Sequence, residues 1–251
     1  MLSKYFDINE AGHSIKCKLY YKDVHTIRRV IIFGHGFGGH KDNKAAEKFA
    51  ERAISKLKDV AMVVPNWPCH GDDVKQKLRL EDCDAYISLV IEYIKKNFNT
   101  DDMYVYATSF GGYLFLKYIH EHGNPFRKLA LRCPAVSIHE DLTRRVVTAG
   151  DMEKLQKGKD VLIGFDRKVK VNKTFFDELE ANDIRKWDLI DYADYICIIH
   201  GMKDEIVPFD TAKEFAENNI IEFYPIENAD HRFMNPRCMD TAMQIIYDWF
   251  F

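Results

Sequence analysis

The apolar positions of the chain switch repeatedly between a strand-like and a helix-like period. Residues 4–9 and 14–22 alternate polar with apolar, which predicts two antiparallel edge strands. Residues 29–33 (RVIIF) form a short unbroken apolar run, the pattern of a strand buried on both faces. A helix is predicted from a cap at Asp42 through Leu57, with Ala46, Phe49, Ala53, Ile54 and Leu57 on one stripe. Residues 60–64 read as the next strand. Over 81–98, Cys83, Ile87, Val90, Ile91, Ile94 and Phe98 recur at helical spacing, and Lys95 and Lys96 suit the negative end of that helix dipole. Residues 103–107 predict a strand that runs straight into Ser109 and a helix to His120, stopped by Gly123 and Pro125. Further strands are expected at 128–132, 195–199 and 220–224, and an amphipathic helix over 239–250 closes the chain. The alternation predicts an α/β fold, a mostly parallel eight-stranded sheet flanked by helices.

One stretch breaks the rhythm. About sixty residues separate the strand ending near Cys133 from the one starting near Tyr195, against the usual ~2–6 for such a connection. Within it, residues 160–176 (DVLIGFDRKVKVNKTFF) predict a β-hairpin with its turn near 166–168. The expected organisation is one domain over 1–251 with a cap inserted at about 136–190. Long ordered insertions serve as lids or binding surfaces, the bland alternative being structural decoration.

Composition narrows the partners. Lys+Arg number 36 against Asp+Glu 39, a net charge of -3, so no global basic field draws the chain to nucleic acid. The local cluster Arg167, Lys168, Lys170 and Lys173 reads as a solvated face. No apolar run approaches the roughly 20 residues of a membrane span, and the N-terminus lacks a signal-peptide core. The six cysteines are scattered singly, without a C-x-x-C pair. Reduced, buried thiols in a cytoplasmic protein are expected. Nothing in the sequence fixes an oligomeric state.

Chemistry concentrates at three strand ends. In Tyr104-Val-Tyr-Ala-Thr-Ser109-Phe-Gly-Gly112 a strand meets a serine and turns at once into a helix. Small neighbours two positions either side, Ala107 and Gly111, fit so tight a turn, and the helix N-terminus aims N–H groups at any anion formed there. The bland reading of Ser109 is a helix cap. A serine hydroxyl attacks only when a base takes its proton, and the base needs an orienting acid. Asp204, in His200-Gly-Met-Lys-Asp204-Glu-Ile-Val-Pro208, and His231, in Glu227-Asn-Ala-Asp-His231, each follow a predicted strand. They come in the order Ser, acid, His, at the rim where open α/β sheets bind ligands. Glu205 is the nearest rival acid, and Asp230 is expected to make a local loop contact. His35-Gly-Phe-Gly-Gly39 follows the strand 29–33, and the N–H groups of Phe37 and Phe110 are assigned as the donors of an oxyanion hole.

Over essentially its whole length the chain resembles the α/β-hydrolase superfamily. Its His-Gly-Phe loop, His-Gly-x-x-Asp-x-x-Val-Pro segment and inserted hairpin are similar to those of bacterial cinnamoyl/feruloyl esterases, and to the related monoacylglycerol-lipase and serine-aminopeptidase-like hydrolases. The resemblance implies hydrolysis of a small-molecule carboxylic ester without metal or organic cofactor. It implies Ser109, Asp204 and His231 as triad, Phe37 and Phe110 at the oxyanion positions, and a cap over the acyl pocket. Two departures stand out: Ala107 replaces the first glycine of Gly-x-Ser-x-Gly, and Asn66-Trp-Pro-Cys-His70-Gly71 lacks the Asp and first Gly of the family's Asp-x-x-Gly-His-Gly loop.

Two other readings stay open. Asp177, Glu178, Glu180 and Asp183 in the insertion could hold the amino terminus of an amide or peptide substrate. A non-catalytic ligand-binding protein would keep the fold alone. His35 and His200 are expected to fix loops, and His40, His120 and His122 to lie at the surface. Neither His35 with His40 nor Cys69 with His70 has the spacing of a metal site, so no metal is expected.

Overall fold

The computed structural model describes residues 1–72, 77–164 and 167–251. The strands β1 (Leu2–Glu10), β2 (His13–Tyr21), β3 (Arg29–Gly34), β4 (Val60–Pro65), β5 (Met103–Thr108) and β6 (Lys128–Arg132) come first along the chain. A short antiparallel pair, β7 (Val161–Ile163) with β8 (Val169–Val171), precedes β9 (Ile196–Gly201) and β10 (Glu222–Ile226). Eight of them form one sheet in the order β1-β2-β4-β3-β5-β6-β9-β10. Pairing is antiparallel from β1 to β4 and parallel from there to β10. This is the α/β-hydrolase fold.

Alternation within the strands sends residues to two separate cores. On β5, Val105 and Ala107 enter one core, whereas Tyr104 and Tyr106 enter the other. The helices α2 (Leu80–Phe98), α3 (Phe110–His122) and α7 (Phe209–Asn218) cover the first face, and α1 (Lys44–Lys56) and α8 (Pro236–Phe250) the second. The insertion supplies α4 (Ile138–Arg145), α5 (Ala149–Gln156), the β7–β8 pair and α6 (Lys173–Ala181), whose buried apolar side chains join the first core.

Several boundaries differ from expectation for local reasons. Asn43, not Asp42, caps α1, accepting from the N–H groups of Ala45 and Ala46 at 2.9 and 3.1 Å. Asp42 instead accepts from Tyr5 and Lys18, at 2.6 and 3.1 Å. The last strand starts at Glu222 because Ile220, at φ 56°, finishes the turn out of α7. The hairpin stops at Val171, since Asn172 caps α6 and carries Phe175 and Phe176 onto that helix. Of its expected turn, Asp166 lies outside the described residues.

Candidate functional site

Ser109 stands between β5 and α3 at φ 53° and ψ -118°, a backbone region that a residue with a side chain occupies only under strain. Its N–H donates to the Arg132 carbonyl at 3.1 Å, which ties the turn to β6. Two positions on, a Cβ added to Gly111 would lie 2.4 Å from the Gly34 carbonyl oxygen, so only glycine lets α3 start this close to β3. The Ala107 methyl finds room for the same reason. Its β3 partner is Gly34, where an added Cβ would stand 3.1 Å from that of Ala107.

Asp204 and His231 meet from loops after β9 and β10. The imidazole Nδ1 lies 2.8 Å from Asp204 Oδ2, its one hydrogen bond to a described residue, leaving Nε2 for the cavity that Ser109 also lines. Ser109 Oγ and Nε2 are not hydrogen-bonded to each other in this state. Asp204 Oδ1 accepts from the N–H groups of Ile206 and Val207, each at 2.8 Å. Burial alone would raise the Asp204 pKa, but hydrogen bonds from His200 and His231 outweigh it and hold the carboxyl well below the usual range. Glu205 accepts from the His231 backbone N–H at 3.3 Å and, among the described residues, makes no hydrogen bond to the imidazole. Asp230 makes the loop contact expected of it, accepting from Met234 N–H at 2.9 Å.

The loop after β3 is braced from behind. Trp67 N–H donates to His35 Nε2 at 3.2 Å, so Nδ1 carries the proton and donates to the Gly36 carbonyl at 2.9 Å. Trp67 Nε1–H in turn donates to the His35 carbonyl at 2.8 Å. Burial pushes His35 down to about 3 and His70 to about 4, so both are neutral braces. The departure at residue 66 has its own use: Asn66 Oδ1 accepts from Lys41 N–H at 2.6 Å. Phe37 and Phe110 line the cavity beside Ser109, and Phe110 opens α3, so its N–H has no intrahelical acceptor.

The cavity has a volume of about 820 Å³. Ile138, Leu142 and Val146 bring the insertion to its wall, together with Asp141. That carboxyl is nearly buried, accepts from Ser137 Oγ at 2.7 Å, and is pushed up to about 6 by burial. Sequence reasoning missed Asp141, whose spacing within α4 carries no motif. His200, expected to fix a loop, is buried against the loop after β9, with Nε2 3.1 Å from the Val207 carbonyl and 3.2 Å from Asp204 Oδ2. The acids proposed to hold an amino terminus are elsewhere: Asp177 pairs with Lys173, Glu178 with Arg79 and Asp183 with Arg185.

Metal-ligating side chains do gather beneath the site. Ligand atoms of Cys133, His200 and Asp204 lie within 4.8 Å of one another. Burial raises the Cys133 thiol well above its ordinary value, and Asp204 already accepts from two backbone N–H groups and two rings. The trio is thus a hydrogen-bonded cluster by its donor chemistry. No described helix is long and apolar enough to cross a membrane.

A family model described as serine aminopeptidase, S33, matches residues 25–158. No curated protein matches the chain in sequence. Among solved structures, a protein from Agrobacterium vitis S4 is similar at a TM-score of 0.79 and 17% identity, covering 100% of this chain and 99% of its own. Est1E from Butyrivibrio proteoclasticus, with ferulic acid bound, is similar at 0.74 and 18% identity, covering 97% and 98%. Mouse alpha/beta hydrolase domain-containing protein 10 is similar at 0.71 and 16% identity, covering 98% and 97%.

Proposed function

The chain belongs to the serine aminopeptidase (S33) family of α/β-hydrolases, and on that premise we propose that it hydrolyses small carboxylic esters through an acyl-enzyme on Ser109. The observation that carries the reading is the Asp204–His231 pair, joined at 2.8 Å, with His231 on the wall of the cavity that the strained Ser109 also lines. His231 Nε2 takes the proton of Ser109 as its oxygen attacks the ester carbonyl. Asp204 keeps the proton on Nδ1 and stabilises the imidazolium. The Phe37 and Phe110 N–H groups stabilise the tetrahedral oxyanion, a contribution of roughly 3–4 kcal/mol for each donor. His231 then protonates the leaving alcohol, and water repeats the sequence on the acyl-enzyme. No cofactor enters these steps.

A hydroxyaryl acyl group, of the hydroxycinnamoyl type, is the preferred acyl class. The wall of Ile138, Leu142 and Val146 suits an apolar ring or chain, and the carboxyl of Asp141 offers an acceptor to a phenolic hydroxyl. The likeness to Est1E with ferulic acid bound supports the same class. For the amide alternative, the family match speaks in favour, whereas the four acids named for it, Asp177, Glu178, Glu180 and Asp183, are not among the described residues of the cavity wall.

The test combines an active-site fluorophosphonate with a panel of methyl hydroxycinnamates, short alkyl esters and an aminoacyl anilide. Labelling and ester turnover are expected in the wild type and absent in Ser109→Ala. Labelling that persists in Ser109→Ala removes the assignment, and faster anilide than ester cleavage moves the chain to amide hydrolysis. Inertness toward label and panel alike leaves a binding protein on the hydrolase fold.

A further inference from the structure

The cavity wall divides between the two cores of the molecule. Ile138 and Leu142 belong to the core on the α2–α3 face, whereas Phe233 and Met239 belong to, or pack on, the core on the α1–α8 face. On the second lobe a cation stands beside Phe233. Arg132, at the end of β6, is 7% exposed, and its guanidinium lies over the Phe233 ring, 4.9 Å from the centroid. Nη1 donates to the His231 carbonyl at 3.2 Å. Nε is buried and has no partner among the described residues, and Arg132 forms no ion pair with a described carboxylate. Lys44, in the first turn of α1, also lines the cavity. Among the described residues two carboxylates line the cavity, and each accepts a hydrogen bond, Asp141 from Ser137 Oγ and Glu205 from His231 N–H.

A buried arginine with an idle Nε is costly unless something completes it. With Nη1 committed to the His231 carbonyl, the rest of the guanidinium, on a side chain that lines the cavity, is left for the oxygens of an anionic carboxylate. Which half of the substrate lies there follows from proton transfer. His231 Nε2 must come within hydrogen-bond reach of the leaving oxygen, so the alcohol extends along the loop of residues 231–234, beside which Arg132 sits. We propose that this lobe is a carboxylate-binding subsite, and that the preferred esters carry an anionic carboxylate on the alcohol half, held by Arg132 with Lys44 at the rim. The inference rests on the esterase reading of the same cavity.

Three esters test it: phenyl acetate, 3-acetoxybenzoate with the carboxylate on the alcohol half, and monophenyl adipate with it on the acyl half, on a chain too long for ready anhydride closure. The wild type is expected to favour 3-acetoxybenzoate over phenyl acetate by about tenfold or more in kcat/KM, mainly through KM and less so at high salt, with no such gain for monophenyl adipate. Arg132→Gln is expected to erase that ratio, Arg132→Lys to keep part of it, and Lys44→Gln, at an exposed position, to lower it severalfold. A wild-type ratio near one, or a ratio that Arg132→Gln leaves intact, overturns the proposal. Should Arg132→Gln fail to fold, the wild-type ratio and the Lys44→Gln shift decide. Calorimetric binding of 3-hydroxybenzoate against phenol to Ser109→Ala separates the two readings. Binding of the anion alone, weakened in Ser109→Ala/Lys44→Gln, upholds the subsite even where no ester turns over, and equal or absent binding of both overturns it.

Discussion

His200 Nε2 lies 3.2 Å from Asp204 Oδ2, the same oxygen that accepts from His231 Nδ1 at 2.8 Å. The His200 Nε2–H is shared with the Val207 carbonyl at 3.1 Å, so this ring is a donor at Nε2, and its buried Nδ1 has no partner among the described residues. Asp204 is therefore fixed from two sides. In the proposed mechanism His200 acts through it as a positioning residue.

His200→Phe is expected to lower kcat by about tenfold with KM changed less than about twofold, since the acid loses a donor but the cavity keeps its shape. His200→Gln, which can still donate, is expected to recover part of the loss. Steady-state kinetics on one ester check this, and a parallel rise in KM would mark a merely structural role.

Asp141 makes stability fall with rising pH. Its folded pKa, about 6, lies above the ordinary value of 3.8, so between those values the folded state holds a proton that the unfolded state has lost. Stability decreases across that window and levels above it. Asp141→Asn is expected to be more stable than the wild type by roughly 1–3 kcal/mol at pH 7 and about equal to it at pH 3.5, read from urea melts. A difference independent of pH would contradict the assignment.

Asp204 has the opposite sign. Its folded pKa is depressed below 3.8, so its stabilisation is complete above that value and is lost as pH falls toward the folded pKa. The wild type is expected to lose stability more steeply below about pH 4 than Asp204→Asn, in the same melts.

At Gly111 the constraint is steric. An added Cβ meets the Gly34 carbonyl oxygen at 2.4 Å and the His35 carbonyl oxygen at 2.9 Å, both backbone atoms. Gly111→Ala is expected to cost about 1–3 kcal/mol and to reduce turnover more than its stability loss explains, because the displaced strand end carries the loop proposed to form the oxyanion hole. Thermal melts and kcat measured on the same sample check it.

The six cysteines are free and buried, and burial raises the thiols of Cys17, Cys83, Cys133 and Cys197. A thiol reagent is expected to label almost none of them in the native protein and all six in urea, because the thiolate is the reacting form. Rapid native labelling of two or more would contradict the packing.

The positions of Ser109, Asp204 and His231 were open to sequence reasoning because each follows a strand whose apolar run is unmistakable, and the fold delivers strand ends to one rim. Asp141 and Arg132 were not. Their meaning comes from which wall they join, and that depends on how α4 and the loop of residues 231–234 dock, which no local spacing encodes. The α1 cap illustrates the finer limit. Asp42 and Asn43 are both competent caps, and the choice falls to Asn43 because Tyr5 and Lys18, distant in sequence, claim Asp42. Likewise the alternation of Val169–Val171 runs on into Phe175 only on paper, since Asn172 starts a helix there.

The two walls of the cavity are rooted in packing units on opposite faces of the sheet. Substitutions in one unit are therefore expected to combine additively with those in the other. Each half of the substrate can then be reselected on its own, by drift or by engineering, without reopening the fit of the other half.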